Sequence, residues 1–221
     1  MDLYDVMRTT FAAREFTDEP VPDSVIRHIL DNARFAPSGG NRQPWRVVVV
    51  RDPATRAALG PLIAPTMRRY VAQAQAGESP WNTVNPTRLS AGQIAAAPVP
   101  EALIRSVTHA PVVLLVFADL ALVASFDSEL ERIGVISGAS IYPFVWNILL
   151  AARNEGYGGT LTTFAAAEEP AVQQLVGVPA HFAFSAMLPL GRPVQQLRQL
   201  TRKPVDDFVR LERWDGAPLP G

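Results

Sequence analysis

The chain has 221 residues, of which 48% are hydrophobic and 19% charged, with a formal net charge of −1 and no cysteine. The length allows one large domain or two small ones, and the composition excludes a disordered chain. The near-neutral charge gives no general attraction to nucleic acid or anionic membranes, and the absence of cysteine excludes disulfides, thiolate nucleophiles and cysteine-bound metal centres.

Neither a targeting segment nor a metal site is predicted. The chain starts Met1-Asp2-Leu3-Tyr4-Asp5, which lacks the basic region of a signal peptide, and no apolar run approaches ~20 residues. We therefore expect a cytoplasmic protein that does not enter a membrane. The 3 histidines, His28, His109 and His181, are isolated, so no two of them have metal-ligand spacing.

The first part of the chain alternates helical and strand patterns. Apolar residues at helical spacing predict helices, and a continuous valine run predicts a strand that is covered on both faces. In chain order the predictions are a helix over Asp2–Thr9, a helix starting at Asp23 or Ser24 and ending at Phe35-Ala36, a strand over Val47–Val50, and a helix from Pro53 to about Ala64. Pro65 is expected to interrupt this last helix, with Met67–Ala76 as its continuation.

Residues 77–111 form a different kind of segment, which we expect to be irregular. Pro80, Pro86, Pro98 and Pro100 break any long element, and the apolar periodicity of the segment is weak. A connection of this length is typical of a lid, a binding loop or an arm that reaches a partner. Trp81 within it has two interpretations, a plug that fixes the loop or an aromatic wall over a planar ligand.

The second half of the chain supplies the rest of the predicted fold. The expected elements are a strand over Val112–Ala118, a helix over Ser140–Glu155 that Gly156 ends, a short β-like segment over Leu161–Thr163, a helix opened by Glu168-Glu169-Pro170 and ended at Gly177, and a strand over His181–Leu190. Mixed helices and strands in this order favour helices packed around one central sheet. The predicted fold class is therefore α+β, with residues 1–221 forming a single domain.

No motif indicates chemistry carried out by the protein's own side chains. Gly156, Gly158 and Gly159 lack the third glycine of a dinucleotide fingerprint and follow a helix instead of a strand. A P-loop and a GxSxG nucleophile motif are both missing. This pattern favours a protein in which a bound cofactor carries the difficult step.

An ordered set of short motifs resembles the FMN-dependent nitroreductase family. The motifs are Arg14-x-Phe16, Asp18-Glu19-Pro20-Val21-Pro22, Ala36-Pro37-Ser38-Gly39-x-Asn41-x-Gln43-Pro44-Trp45, Ser140-Ile141-Tyr142-Pro143, Gly156-Tyr157-Gly158 followed by Thr160-Leu161-Thr162-Thr163, Leu188-Pro189-Leu190-Gly191, and Arg202-Lys203-Pro204. The resemblance extends through nearly the whole chain apart from residues 77–111. It implies an α+β sandwich whose mainly antiparallel central sheet is flanked by helices, in an intertwined homodimer with two FMN sites at the subunit interface.

The resemblance also implies a reaction. NADH or NADPH reduces FMN and leaves, and a small acceptor such as a nitroaromatic compound or a quinone then takes the electrons. Residues 77–111 are expected to select the acceptor, because a lid over the flavin decides what reaches it. The alternatives are a flavin-binding or flavin-sequestering protein with little turnover, and a structural dimer without cofactor; the retained Arg14, Asn41 and Arg202 argue against the last.

Ten positions match the family's cofactor contacts: Arg14, Pro37, Ser38, Gly39, Asn41, Leu161, Thr162, Thr163, Arg202 and Lys203. Arg14 and Arg202 match positions that bind the FMN phosphate, with Lys203 beside the latter; an arginine fork suits this role, and ordinary surface charge is the alternative. Residues 38–41 match a loop that contacts the other subunit's flavin, and a helix C-cap with a turn is the alternative. Residues 161–163 match the segment that lies along the flavin ring.

One stretch departs from the family pattern. Thr10, Phe11 and Ala12 stand where the family has Arg-x-Ser or Arg-Arg-Ser, so donors to the phosphate and ribityl chain are missing. A hydrogen bond to a charged group contributes roughly 1.5–3 kcal/mol, which corresponds to about 10- to 100-fold in affinity. Thr10 replaces one donor, or Arg8 or another arginine compensates, or the flavin is held weakly, or the pocket has been reused.

Overall fold

The computed structural model describes all of residues 1–221. The helices are α1 (Leu3–Thr9), α2 (Asp23–Ala33), α3 (Pro53–Gln75), α4 (Ala91–Ala96), α5 (Glu101–Thr108), α6 (Tyr142–Asn154) and α7 (Glu169–Val176). The strands are β1 (Trp45–Val50), β2 (Val112–Asp119), β3 (Gly158–Gly159) and β4 (Phe182–Gly191). No helix is both long and apolar enough to cross a membrane.

The four strands form one antiparallel sheet in the order β1-β2-β4-β3. The predicted α+β class is confirmed, and β2 is central and buried along nearly its whole length. Both faces of β1 are covered as expected, but incompletely, because Val47 packs against the core with α2 and α6 and Val48 against the core with α3, whereas Val49 is exposed. The physical reason is that β1 is an edge strand, which pairs only with β2.

Helices cover both faces of the sheet. Successive side chains of a strand point to opposite faces, and in β2 Leu114 joins the core with α2 and α6, whereas Leu115 joins the core with α3, α5 and α7. At the edge of the sheet, Trp45 stacks on Phe144 of α6 with ring centroids 4.6 Å apart. This contact fixes the point at which the chain enters β1.

Helix α3 runs through both of its internal prolines, Pro61 and Pro65, so the expected interruption at Pro65 is absent. The reason lies on the opposite side of the helix. Leu59, Ile63 and Met67 repeat every four residues, and all three are buried in the core beneath the sheet. Their packing holds the helix together although each proline removes one backbone donor.

Residues 77–111 are less irregular than expected, because the short helices α4 and α5 lie within them. Helix α4 begins with a capping box between Ser90 and Gln93. Helix α5 packs against α3 and contributes Val107 to the core. Only residues 77–90 therefore remain as an extended surface loop.

Candidate functional site

The loop before β1 has an unusual backbone. The φ angles are 59° at Gly40, 52° at Asn41 and 49° at Gln43. These values lie in the left-handed region, which is unfavourable for residues other than glycine. The Ser38 hydroxyl accepts a hydrogen bond from the Gln43 amide at 3.0 Å. This bond closes the loop on itself and holds the disfavoured conformation.

The same loop is tied to the segment that precedes α6. The Gly39 amide donates to the Ser140 hydroxyl at 3.0 Å, 101 positions away along the chain. Pro37, Gly39 and Asn41 are exposed, so the outer side of the loop is open. In one chain the loop makes no hydrogen bond to Arg14 or to residues 161–163.

Residues 158–163 form the second part of the site. Gly158 and Gly159 are buried against the end of β4, and a Cβ at Gly159 would lie within 2.6 Å of the Pro189 carbonyl oxygen. Close strand packing therefore explains this glycine. Beyond β3, Thr162 exchanges two backbone hydrogen bonds with Met187, at 3.0 and 2.8 Å.

This pairing leaves an open polar edge over residues 161–163. Because backbone groups alternate in direction along an extended chain, those of Leu161 and Thr163 point away from β4. Their two N–H groups donate no hydrogen bond within the chain, and both residues are exposed. The edge therefore presents free donors to a ligand.

Arg14 lies at one end of this edge. The Ala13 amide donates to the Gly159 carbonyl at 3.0 Å, and the Val194 amide donates to the Glu15 carbonyl at 3.1 Å, so Arg14 sits between β3 and the segment after β4. Its guanidinium is exposed, donates to the Ala12 carbonyl at 3.4 Å, and has no carboxylate partner. It is free to meet an anion.

Arg202 and Lys203 lie in the exposed C-terminal segment. The Arg202 guanidinium donates to its neighbouring Thr201 carbonyl at 2.7 Å, and neither cation has a carboxylate partner. Six positions before Arg202, the side-chain amide of Gln196 donates to the Thr9 backbone carbonyl at 3.0 Å, which attaches this part of the chain to the end of α1.

The stretch 10–12 supplies no free side-chain donor. The Thr10 hydroxyl is buried and donates to the Val6 carbonyl at 2.7 Å, so it does not replace the missing serine or arginine. Arg8 is turned toward the Tyr4 ring, 5.9 Å from its centroid. A different arginine reaches this region: Arg153 Nε donates to the Thr9 hydroxyl at 3.0 Å.

Arg153 was not among the residues predicted from the sequence. It lies in the last turn of α6, where a basic residue is ordinary because it complements the helix dipole. Its proximity to Thr9 depends on the packing of α1 against α6. No local signal could have found it.

The loop over residues 77–90 is organised by Glu78. Its carboxylate accepts hydrogen bonds from the Thr87 hydroxyl at 2.6 Å, the Arg88 amide at 2.8 Å and the Gln73 side chain at 3.2 Å. These bonds, of which the one from Thr87 has the largest effect, hold the pKa of Glu78 below its ordinary value.

Trp81 contacts α3, which favours its interpretation as a plug that fixes the loop.

A single antiparallel sheet between two helical layers defines an α+β protein. The match to the Nitroreductase family covers residues 7–192. The chain belongs to the nitroreductase family.

Two curated relatives carry different activities in their names. The chain is 30% identical over 223 residues to an NADH dehydrogenase of Thermus thermophilus, with 89% of each chain covered. It is 25% identical to human iodotyrosine deiodinase 1, with 94% of this chain and 68% of that protein covered. Among solved structures, an oxidised iodotyrosine deiodinase bound to FMN and 3-iodo-L-tyrosine matches with a TM-score of 0.66 at 24% identity, over 96% of this chain and 100% of that chain.

Proposed function

We propose that the protein is an FMN-dependent oxidoreductase that uses NADH or NADPH to reduce a small acceptor such as a nitroaromatic compound or a quinone. The observation that carries this proposal is the open edge at Leu161 and Thr163, whose two N–H groups have no partner in the chain and which continues from β3, where Ala13, the neighbour of Arg14, pairs with Gly159. FMN combines a flat ring with a polar edge and a dianionic phosphate. The edge and the cations fit these two ends.

The residues of the chain then have separate roles. When bound, FMN supplies the redox chemistry by accepting two electrons from the nicotinamide and passing them to the acceptor. The amides of Leu161 and Thr163 orient the ring edge, and Arg14, Arg202 and Lys203 hold the phosphate through charge-assisted hydrogen bonds. The exposed loop at residues 38–41 faces the flavin of a second copy in a homodimer.

Relatives support the donor and the cofactor. The Thermus relative is named an NADH dehydrogenase, and the iodotyrosine deiodinase structure contains FMN. These properties belong to those proteins, and we extend them to this chain because residues 7–192 place it in the same family. The names of the relatives give different activities, and we propose that residues 77–111 select the acceptor in this chain.

A second candidate is a flavin-binding or flavin-sequestering protein with little turnover. It is favoured by the buried Thr10 hydroxyl, which donates to Val6 and leaves the phosphate without a donor from residues 10–12. Weaker phosphate binding would allow the flavin to be taken up and released. The two candidates therefore differ in affinity for FMN and in reduction by nicotinamide.

The visible spectrum of the purified protein distinguishes these functions. After incubation with FMN and removal of the excess, NADH or NADPH is added without oxygen, followed by a nitroaromatic acceptor. Bleaching by the nicotinamide and recovery of the flavin absorbance on adding the acceptor support the oxidoreductase. Bound flavin that neither nicotinamide reduces supports the second candidate, and failure to bind FMN contradicts both.

A further inference from the structure

One face of α3 carries the loop over residues 77–90. Thr66, Arg69, Tyr70 and Gln73 are spaced so that they share this face. The Trp81 amide donates to the Gln73 side-chain oxygen at 3.0 Å, and its indole N–H approaches the Thr66 carbonyl at 3.4 Å. Trp81 has a left-handed backbone, with φ of 54°, which these contacts hold in place.

The guanidinium of Arg69 lies over the Trp81 ring, with Cζ 4.1 Å from the ring centroid. Its Nε is buried and has no hydrogen-bond partner, and no carboxylate lies within ion-pairing distance. The ring face compensates part of the lost hydration. Arg69 is half-buried as a whole and has no carboxylate partner, so its charge is available to an anion, and the planar guanidinium suits a carboxylate.

The face of α3 that carries Arg69 also contacts the residue that follows the proposed flavin-edge segment. The neighbouring Tyr70 ring packs edge-on against Phe164, with centroids 6.0 Å apart and an interplanar angle of 82°. Phe164 directly follows Thr163, and its amide donates to the Thr162 hydroxyl at 3.3 Å. One ring contact therefore connects the Arg69 face of α3 to the segment along which the flavin ring would lie.

We propose that Arg69 is a specificity-determining residue that binds the anionic group of an aromatic acceptor, such as a carboxylate. Trp81 is its positioning residue, because it stacks on the guanidinium and fixes the loop above it. This inference rests on the proposed oxidoreductase function and names the substrate class of that site. The competing interpretation is that Arg69 and Trp81 only attach the loop to α3.

Two acceptors that differ in charge separate these interpretations. 4-Nitrobenzoate and 4-nitrobenzyl alcohol present the same nitroaromatic ring with an anionic or a neutral para group. Each reduction of the nitro group to a nitroso group consumes one NADH and one proton and releases NAD⁺ and water. We expect the protein to prefer the benzoate in kcat/KM by about 10-fold or more.

The decisive variant is Arg69→Gln, which removes the charge and keeps a polar side chain. We expect kcat/KM for 4-nitrobenzoate to fall about 10- to 100-fold through KM, with the alcohol changed less than about 2-fold. Arg69→Lys should restore part of the preference because it retains the charge. Arg68→Gln is the matched control, since Arg68 is the adjacent arginine and its Nε also has no partner.

Each other result overturns the inference. Equal losses for both acceptors indicate a loop attachment only, and an equal loss in Arg68→Gln indicates a general charge effect. If no nicotinamide reduces the flavin, the proposed function fails, and calorimetric titration of the oxidised protein with 4-nitrobenzoate tests the site without turnover. If the unmodified protein binds 4-nitrobenzoate and Arg69→Gln does not, the anion site is still supported. If the unmodified protein does not bind 4-nitrobenzoate, the anion site is contradicted.

Discussion

Asn41 and Gln43 adopt left-handed backbones that cost roughly 1–2 kcal/mol each for residues with a side chain. Such strain persists only where surrounding contacts determine it, and here the hydroxyls of Ser38 and Ser140 each accept a hydrogen bond from a loop amide. Backbone strain of this kind is concentrated at ligand-binding segments. The strained loop and the resemblance therefore point to the same residues.

Two adjacent cations differ in the role expected of them. Arg202 matches a phosphate position and can meet two oxygens with one guanidinium, whereas Lys203 offers a point charge. We expect Arg202→Ala to weaken FMN binding about 10- to 100-fold and Lys203→Ala to weaken it less. Fluorescence titration with FMN measures both.

Titration of the same variants with riboflavin is the control, because riboflavin lacks the phosphate. Arg202→Ala should bind riboflavin as the unmodified protein does. Equal effects of the two substitutions on FMN, or an equal loss of riboflavin binding, would show that the phosphate assignment is wrong.

At the scale of elements, the connection from β2 to α6 is organised by one buried carboxylate. Asp127 is 5% exposed, and its Oδ2 accepts hydrogen bonds from Arg132 and from the Val135 amide, both at 2.8 Å. The bond from the Val135 amide, followed by the one from Arg132, holds the pKa of Asp127 below its ordinary value. The connection therefore has a fixed shape although it contains no α-helix or strand.

The substitution Asp127→Asn is expected to lower Tm by roughly 5 °C at neutral pH, since a neutral amide oxygen in the place of Oδ2 lacks the charge that strengthens these hydrogen bonds. Because the folded pKa is depressed, the stabilisation is complete above the unfolded pKa of about 3.9 and is lost as the pH falls through the lower folded pKa. The difference in Tm between the two proteins should therefore shrink below about pH 4.

Thermal unfolding between pH 3 and 7, a range that spans the unfolded carboxylate pKa of about 3.9, measures this difference. Asp215→Asn is the control, because Asp215 forms an exposed ion pair with Arg213 and such pairs contribute little. A constant difference at every pH would mean that the Asp127 charge is not the cause.

At the scale of the whole molecule, several large apolar side chains are exposed, and two pairs of them lie in segments outside the α-helices and strands. Phe126 and Ile133 protrude from the connection before α6, at 92% and 63% exposure, and Phe208 and Trp214 protrude from the C-terminal segment, at 68% and 98%. Exposed apolar groups of this size are typical of an interface with another chain. They support the homodimer that the resemblance implies.

We expect the protein to sediment as a particle of twice the chain mass. The double substitution Phe208→Ala and Trp214→Ala should raise the dimer dissociation constant by about 10-fold or more, because it removes two large apolar contacts. Asp215→Ala, next to Trp214, is the control for truncation of the same segment. A monomer that retains FMN would contradict a site shared between subunits.

Much of the fold follows from periodicity alone. The α2 stripe of Ile26 and Ile29 and the apolar run of β2 identify buried faces, since each pattern matches the repeat of its element. The prediction failed at Pro65 because local helix-breaking tendency was outweighed by the packing of Ile63 and Met67. At β1 the valine run predicted a strand covered on both faces, but it could not show that the strand lies at the edge of the sheet, where Val49 stays exposed.

The sequence by itself determined the family, the ten candidate cofactor positions and the missing donors at residues 10–12, because motifs and residue identity are local properties of the chain. Tertiary structure alone decided which donors are free. Packing decides that the Thr10 hydroxyl is engaged and that the amides of Leu161 and Thr163 have no partner. It also brings Arg153 to Thr9 and Arg69 to Trp81. Hydrogen bonding and burial are set by that packing, and they convert candidate residues into a site with a testable chemistry.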